Sequence, residues 1–225
     1  MIGNDFYQHK KLVMHSFLWG ALTLIFFLIS YNFFSKSIEL YIYNYFGYGV
    51  SYKISNIVSA IFSPKIWVLV TVLSLVLSIY SYKSGFKKQA QIFILIFLSE
   101  MVSMLVVVML KVCLARPRPA LLIEHDIYAL HYFSFNDLYN SFPSGHMAQS
   151  ACGLLAIREF KPSILKLKYI ISILIAIGLA RIFMYDHYIG DVLCGLYVGV
   201  FSFFWVKYFL YRFAGQHTSN CNQGR

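Results

Sequence analysis

Six apolar runs, separated by short stretches that carry most of the Lys, Arg, Pro and Asp residues, set the pattern of this chain. They cover roughly residues 12–34, 66–82, 90–114, 144–157, 169–183 and 188–210. A helix needs about 20 apolar residues to cross the hydrocarbon core of a bilayer, so each run predicts a transmembrane helix. The fourth and fifth runs are short, which predicts that their outer ends sit low, near the membrane surface, with the polar residues there sheltered by neighbouring protein. Between the first two runs, residues 35–63 mix Tyr and Phe with Ile and Leu at near-helical spacing. That mixture favours the headgroup region and predicts an interfacial helix on the outer face, either an anchor or a wall past which a lipid enters. The expected fold is all-α: a polytopic membrane helix bundle with six transmembrane helices and an additional interfacial helix between the first two spans. No internal repeat or linker interrupts it, so residues 1–225 read as one domain.

Composition agrees with an integral membrane protein. Of the 225 residues 59% are hydrophobic and 12% charged, and mean hydropathy is +0.65, too little polarity to cover a soluble domain. The formal net charge of +10 raises the possibility of nucleic acid, but the cations fall in short clusters between apolar runs, not in one stripe. Under the six-span reading twelve cations fall on one side: Lys10, Lys11, Lys83, Lys87, Lys88, Arg158, Lys161, Lys166, Lys168, Lys207, Arg212 and Arg225. Seven fall on the other: Lys36, Lys53, Lys65, Lys111, Arg116, Arg118 and Arg181. The excess predicts that both termini are cytoplasmic, and several of the seven outward cations are expected to have another task. The run after Lys10 and Lys11 is too long for a signal peptide and lacks a small-residue cleavage pattern, so it reads as a retained anchor. Cys113, Cys152, Cys194 and Cys221 show no metal-ligand spacing, and neither a disulfide framework nor a zinc site is expected.

Three places carry candidate chemistry. At Ser141-Phe142-Pro143-Ser144-Gly145-His146 a polar loop gives way to an apolar run. Unpartnered first-turn N–H groups and the helix dipole there make a cradle for an anion, with the His146 imidazole beside it. Alone, this reads more readily as turn-and-cap chemistry. Lys111 ends the third run and is followed by Arg116-Pro117-Arg118-Pro119, whose prolines end the helix and stiffen its exit. Alone, these cations read as snorkelling to headgroups. The third place is Arg181, then His187, then Asp191. His187 and Asp191 stand at i and i+4, where a carboxylate can hold one imidazole nitrogen and leave the other as a directed nucleophile or base. With six spans all three places fall on one face of the membrane.

Taken together, Lys111, Arg118 and Arg181 around backbone N–H groups suit a phosphoryl group, and two imidazoles suit a two-step displacement. No carboxylate cluster for Mg²⁺ is visible, so no cofactor is expected and the cations must neutralise the phosphate. Glu100, amid apolar residues 92–98 and 101–110, shares a helix face with Lys111. About 16 Å along the axis separates them, so a structural glutamate is the favoured reading.

Lys111 to Pro119, Pro143 to His146 and Arg181 to Asp191 together resemble the three-part signature of the type 2 phosphatidic acid phosphatase family, whose phosphatase site is shared with vanadium haloperoxidases and bacterial acid phosphatases. The resemblance implies a metal-independent membrane lipid phosphatase acting on a phosphomonoester or diphosphate. By that resemblance His187 is the nucleophile that forms a phosphohistidine, Asp191 its orienting partner and His146 the general acid. Lys111, Arg118 and Arg181 would hold the phosphate, with Ser144 and the Gly145 backbone completing the cradle. One departure is Ala180, where the family usually has Ser, which removes a possible hydrogen bond to phosphate.

The expected partners are the bilayer and a lipid phosphate, with no nucleic acid and no obligate protein partner. Candidate lipids are lipid A phosphate, undecaprenyl diphosphate, and phosphatidylglycerophosphate or phosphatidic acid. Residues 120–140, with Glu124, His125, Asp126, His131 and Asp137 among aromatics, either contact a headgroup or form a solvated, tyrosine-anchored loop. The expected site faces the periplasm or exterior of a bacterial inner (plasma) membrane. A catalytically inactive scaffold or a lipid transporter is the alternative. Transporters more often show broken spans with polar residues at the midplane, and only Glu100 fits that.

Overall fold

The computed structural model describes the backbone of residues 2–223 and the side chains of residue 11 and residues 13–212. Lys10, Cys221 and Arg225, used in the readings above, lie outside the described side chains. All described secondary structure is helical. Helix α1 (Ile2–Ile29) runs through a π-helical turn (Ser30–Phe34) into α2 (Ser35–Phe46). After α3 (Val50–Ile61) come α4 (Pro64–Lys83), α5 (Lys87–Leu114) and the short α6 (Pro119–His125). A 3₁₀ turn (Asp137–Tyr139) precedes α7 (Gly145–Arg158), α8 (Leu167–Phe183) and α9 (Ile189–Gln223).

Helices occupy all six expected runs, but among the described residues only four stretches are long and apolar enough to cross a membrane: Val13–Phe46, Val50–Lys83, Lys87–His125 and Ile189–Arg212. Helices α7 and α8 have 14 and 17 residues, a rise of about 21 and 26 Å against a hydrocarbon core of about 30 Å. The single helix expected between the first two spans is instead a pair, α2 and α3, broken where Gly47 turns at φ +50°. Only a residue without Cβ adopts that conformation freely.

Helix α4 buries hydroxyls and exposes hydrocarbon. Thr71, Ser74, Ser78 and Ser81 face inward while Val68, Leu69, Val72, Leu73 and Val76 face out. In α5 Ser99, Glu100 and Ser103 are buried, and Met101, Leu105, Val108 and Met109 are exposed. A water-soluble protein would invert this arrangement; an apolar solvent favours it, because helices associate through small residues and interhelical polar contacts. Thr71, Ser74 and Ser99 donate to carbonyls of their own helices and Ser78 donates to the Ala90 carbonyl of α5 at 3.0 Å, whereas the Ser103 hydroxyl is buried without a partner among the described residues. The chain is an integral membrane protein. Glu100 is fully buried beside Cys152 of α7, away from solvent, and Cys113, Cys152 and Cys194 are free thiols.

Helix α7 is the central element and packs against α4, α5, α8 and α9. Its sequence is made for this: Gly145, Ala148, Ser150, Ala151, Gly153 and Ala156 keep it thin, and ten of its 14 residues are buried. A Cβ at Gly195 of α9 would come within 2.4 Å of the Ser144 carbonyl, and one at Gly199 within 2.1 Å of the Ala148 carbonyl. These two glycines, one helical turn apart, let α9 lie directly against the start of α7. That contact places residues 144–146 beside residues 187–191.

Candidate active site

Backbone geometry gathers the three sequence motifs. Helix α5 ends at Ala115, in the left-handed region at φ +43°. The chain then turns through Pro117 and restarts at Pro119, the first residue of α6, with Arg118 at its N-cap. The last α5 carbonyls lack helical partners and are met by the loop, since His131, Tyr132, Phe133 and Ser134 donate to Ala115, Leu114, Cys113 and Val112 at 3.2–3.4 Å. Residues 120–140 therefore fold back as a cap on α5, with Phe133 and Phe135 exposed at its tip.

Lys111, in the last turn of α5, donates to the Asn140 carbonyl. Its Cε lies 3.9 Å from the Cβ position of Gly145, so the first and second motifs touch. Ser144 stands at the N-cap of α7, but its hydroxyl makes no cap hydrogen bond. That hydroxyl is buried without a partner among the described residues, which leaves it available to an anion and argues against ordinary capping. Its N–H donates to the Asp191 carbonyl at 3.0 Å, joining the second motif to the third.

The direct bond expected between Asp191 and His187 gives way to an indirect one. Helix α9 begins at Ile189, so His187 stands before the helix and the i, i+4 geometry does not apply. Asp191 instead caps the helix, accepting from the Tyr188 N–H at 3.1 Å. It also accepts from the Ser141 hydroxyl at 2.6 Å and pairs with Arg116 at 2.6 Å. The His187 ring is held by the Ser141 carbonyl, 2.5 Å from Nδ1. A carbonyl only accepts, so Nδ1 carries the proton and Nε2 keeps its lone pair. His187 is buried, and burial together with Arg181, Lys111, Arg118 and His146 holds it well below the ordinary imidazole value. It is neutral at neutral pH.

Three residues at the site had no role assigned from the sequence. Asp186 joins the two arginines, accepting from Arg118 on one oxygen and from Arg181 on the other, the latter at 2.5 Å. Ser59 of α3 accepts from Arg181 and lies 3.1 Å from His146 Nε2. It brings a hydroxyl to Arg181 although position 180 is Ala. Arg116 is completely buried with Asp191, its guanidinium 4.0 Å from the Tyr188 ring centroid. A carboxylate next to His187, a serine 122 residues from its partner and a buried second arginine take their places only in three dimensions. Among the described residues no three of His, Cys, Asp and Glu converge as a metal site.

A family model described as the PAP2 superfamily matches residues 92–214, more than half of the chain, and those residues carry all three motifs. The chain belongs to the PAP2 superfamily. The chain is also similar to phosphatidylglycerophosphatase B of Bacillus subtilis (strain 168), 38% identical over 78 residues that cover 31% of this chain and 38% of that protein. The match thus spans well under half the length of that relative. No solved structure matches this PAP2 protein significantly.

Proposed function

We propose that this PAP2 protein is a lipid phosphatase working through a phosphohistidine. The observation that carries the reading is the His187 ring, neutral, donating from Nδ1 to the Ser141 carbonyl so that Nε2 keeps its lone pair, with burial and the charges of Lys111, Arg118, Arg181 and His146 disfavouring its protonation. In the first step Nε2 attacks phosphorus and the bond to the leaving oxygen breaks as His146 gives that oxygen a proton. In the second, His146 takes a proton from water, the oxygen attacks phosphorus, the P–N bond breaks and inorganic phosphate leaves. Lys111, Arg118 and Arg181 neutralise the phosphoryl oxygens, with the Ser144 hydroxyl and the Gly145 N–H as further donors. The Ser144 Oγ and Arg181 Nε, both buried and unpartnered among the described residues, are donors a phosphate oxygen would satisfy. Asp191 orients His187 through Ser141.

The reading includes six spans in one domain, α7 and α8 crossing within the protein's own shelter, with both termini cytoplasmic and the site facing the periplasm or exterior. Four of the seven outward cations, Lys111, Arg116, Arg118 and Arg181, hold polar partners around the site, which supports counting them apart from topology. The substrate is a phosphorylated or diphosphorylated lipid. The name of the Bacillus relative favours phosphatidylglycerophosphate within that class. Purified protein assayed in EDTA against lipid A phosphate, undecaprenyl diphosphate, phosphatidylglycerophosphate and phosphatidic acid should release phosphate from at least one. Activity abolished by EDTA and restored by Mg²⁺ would contradict the metal-free mechanism.

A further inference from the structure

Arg116 has no part in gripping phosphate in the mechanism above, yet it is among the most enclosed side chains of the protein. Its guanidinium and the Asp191 carboxylate are both fully buried, 2.6 Å apart. The guanidinium carbon lies 4.0 Å from the Tyr188 ring centroid, 5.1 Å from Tyr31, 5.3 Å from Phe27 and 5.7 Å from Tyr128. Arg116 Nη2 also donates to the Tyr128 hydroxyl at 3.3 Å, and that hydroxyl donates to the Tyr31 carbonyl at 2.6 Å. A cation enclosed by aromatic faces and tied to a carboxylate has one position open to it.

That position bears on Ser141 twice. The Arg116 carbonyl accepts from the Ser141 N–H at 3.0 Å. The Arg116 side chain fixes Asp191, whose other oxygen accepts from the Ser141 hydroxyl at 2.6 Å. Ser141 is thereby held at its amide and its side chain, and its carbonyl is aimed at His187 Nδ1. We infer that Arg116 is a positioning residue for the nucleophile, acting on the His187 ring through Asp191 and Ser141 without touching substrate. The inference rests on the proposed role of His187. A topology cation would sit at the headgroups in contact with solvent, and Arg116 does neither.

The chain of contacts orients a reacting group and leaves phosphate binding to Lys111, Arg118 and Arg181, so its loss should appear in kcat and not in affinity. Displacement of a reacting atom by about 1 Å can cost on the order of 100-fold in rate. Arg116→Gln, purified in detergent and checked for folding by thermal midpoint and elution volume, should lose about 100-fold in kcat. KM and the inhibition constant of vanadate, used as a phosphate mimic, should change by less than about threefold, and Arg116→Lys should recover to within about tenfold of wild type. A folded Arg116→Gln with wild-type kcat, or one whose loss lies in KM and vanadate affinity, overturns the inference. If Arg116→Gln does not fold, Ser141→Ala decides: it should lower kcat about tenfold with vanadate affinity kept, and an unchanged kcat overturns the inference. His187→Ala run alongside separates the two levels. Activity retained there defeats the proposed function itself, whereas activity lost there and kept in Arg116→Gln defeats the role of Arg116 alone.

Discussion

A backbone carbonyl cannot give up a proton, and this makes Ser141 a better guardian of the His187 tautomer than a carboxylate would be. With the proton fixed on Nδ1, reactivity depends on the charge state of the ring as a whole. The ring is held well below the ordinary 6.5 by burial first and then by Arg181, Lys111, Arg118 and His146, with Asp186 and Asp191 as the nearby anions. A nucleophile must be neutral, so protonation on lowering the pH removes activity only below that depressed value. The acid limb of kcat/KM should therefore lie below pH 6.5, and a limb above it would contradict a neutral buried His187. Ser59→Ala removes the hydroxyl shared by Arg181 and His146, and a lost hydrogen bond to a charged group predicts a fall in kcat/KM of about tenfold or more. Phosphate-release kinetics check it, and an unchanged value would place Ser59 outside the working site. The eight residues given roles from sequence all found places around one region, because each lies in a short motif with fixed spacing. Arg116 was legible only as one more cation, since nothing in Arg-Pro-Arg-Pro says which guanidinium turns inward.

At the scale of elements, the site depends on how closely α9 can approach α7. Gly195 and Gly199 permit contact with the Ser144 and Ala148 carbonyls, and backbone cannot yield as a flexible side chain can. Gly195→Val should lower stability by about 1–3 kcal/mol, read as a fall in thermal midpoint in detergent, and activity should fall with it as residues 144–146 are pushed from His187. An unchanged midpoint and activity would show that α9 has room to move. Helix positions were legible from apolar periodicity, which marks where helices lie but not which are held inside a bundle. Helix α7 shows why: its apolar run is too short for a lone span, and its small residues reflect four neighbours that the sequence does not name. The aromatic stretch before α4 gave a helix but hid the break at Gly47, and with it the route by which α3 delivers Ser59. Within residues 120–140, the backbone N–H groups of His131, Tyr132, Phe133 and Ser134 have a structural task that the sequence did not indicate, closing the end of α5. Exchanging only the exposed tip, Phe133 and Phe135 to Ser, should shift lipid preference on the substrate panel while leaving the thermal midpoint within about 2 °C. Equal preference would move specificity to the span walls.

For the whole molecule, hydroxyls facing in and hydrocarbon facing out on α4 and α5 mark lipid as the surrounding solvent, and the cation excess gives the proposed direction across it. Reporter fusions after Lys83 and after Arg158 should read cytoplasmic, and fusions in residues 120–140 should read external; the opposite pattern would turn the site inward. Overall charge alone could not have separated site from topology, because Lys111, Arg116, Arg118 and Arg181 enter the count as though they faced the membrane surface. What all scales share is the claim that phosphorus passes through His187. Its most direct measurement is alkaline quenching of the protein during turnover of a radiolabelled lipid phosphate, followed by mapping of the labelled peptide. Label is expected on His187 and absent from His187→Ala; label on another residue, or full turnover by folded His187→Ala, would contradict a phosphohistidine at His187.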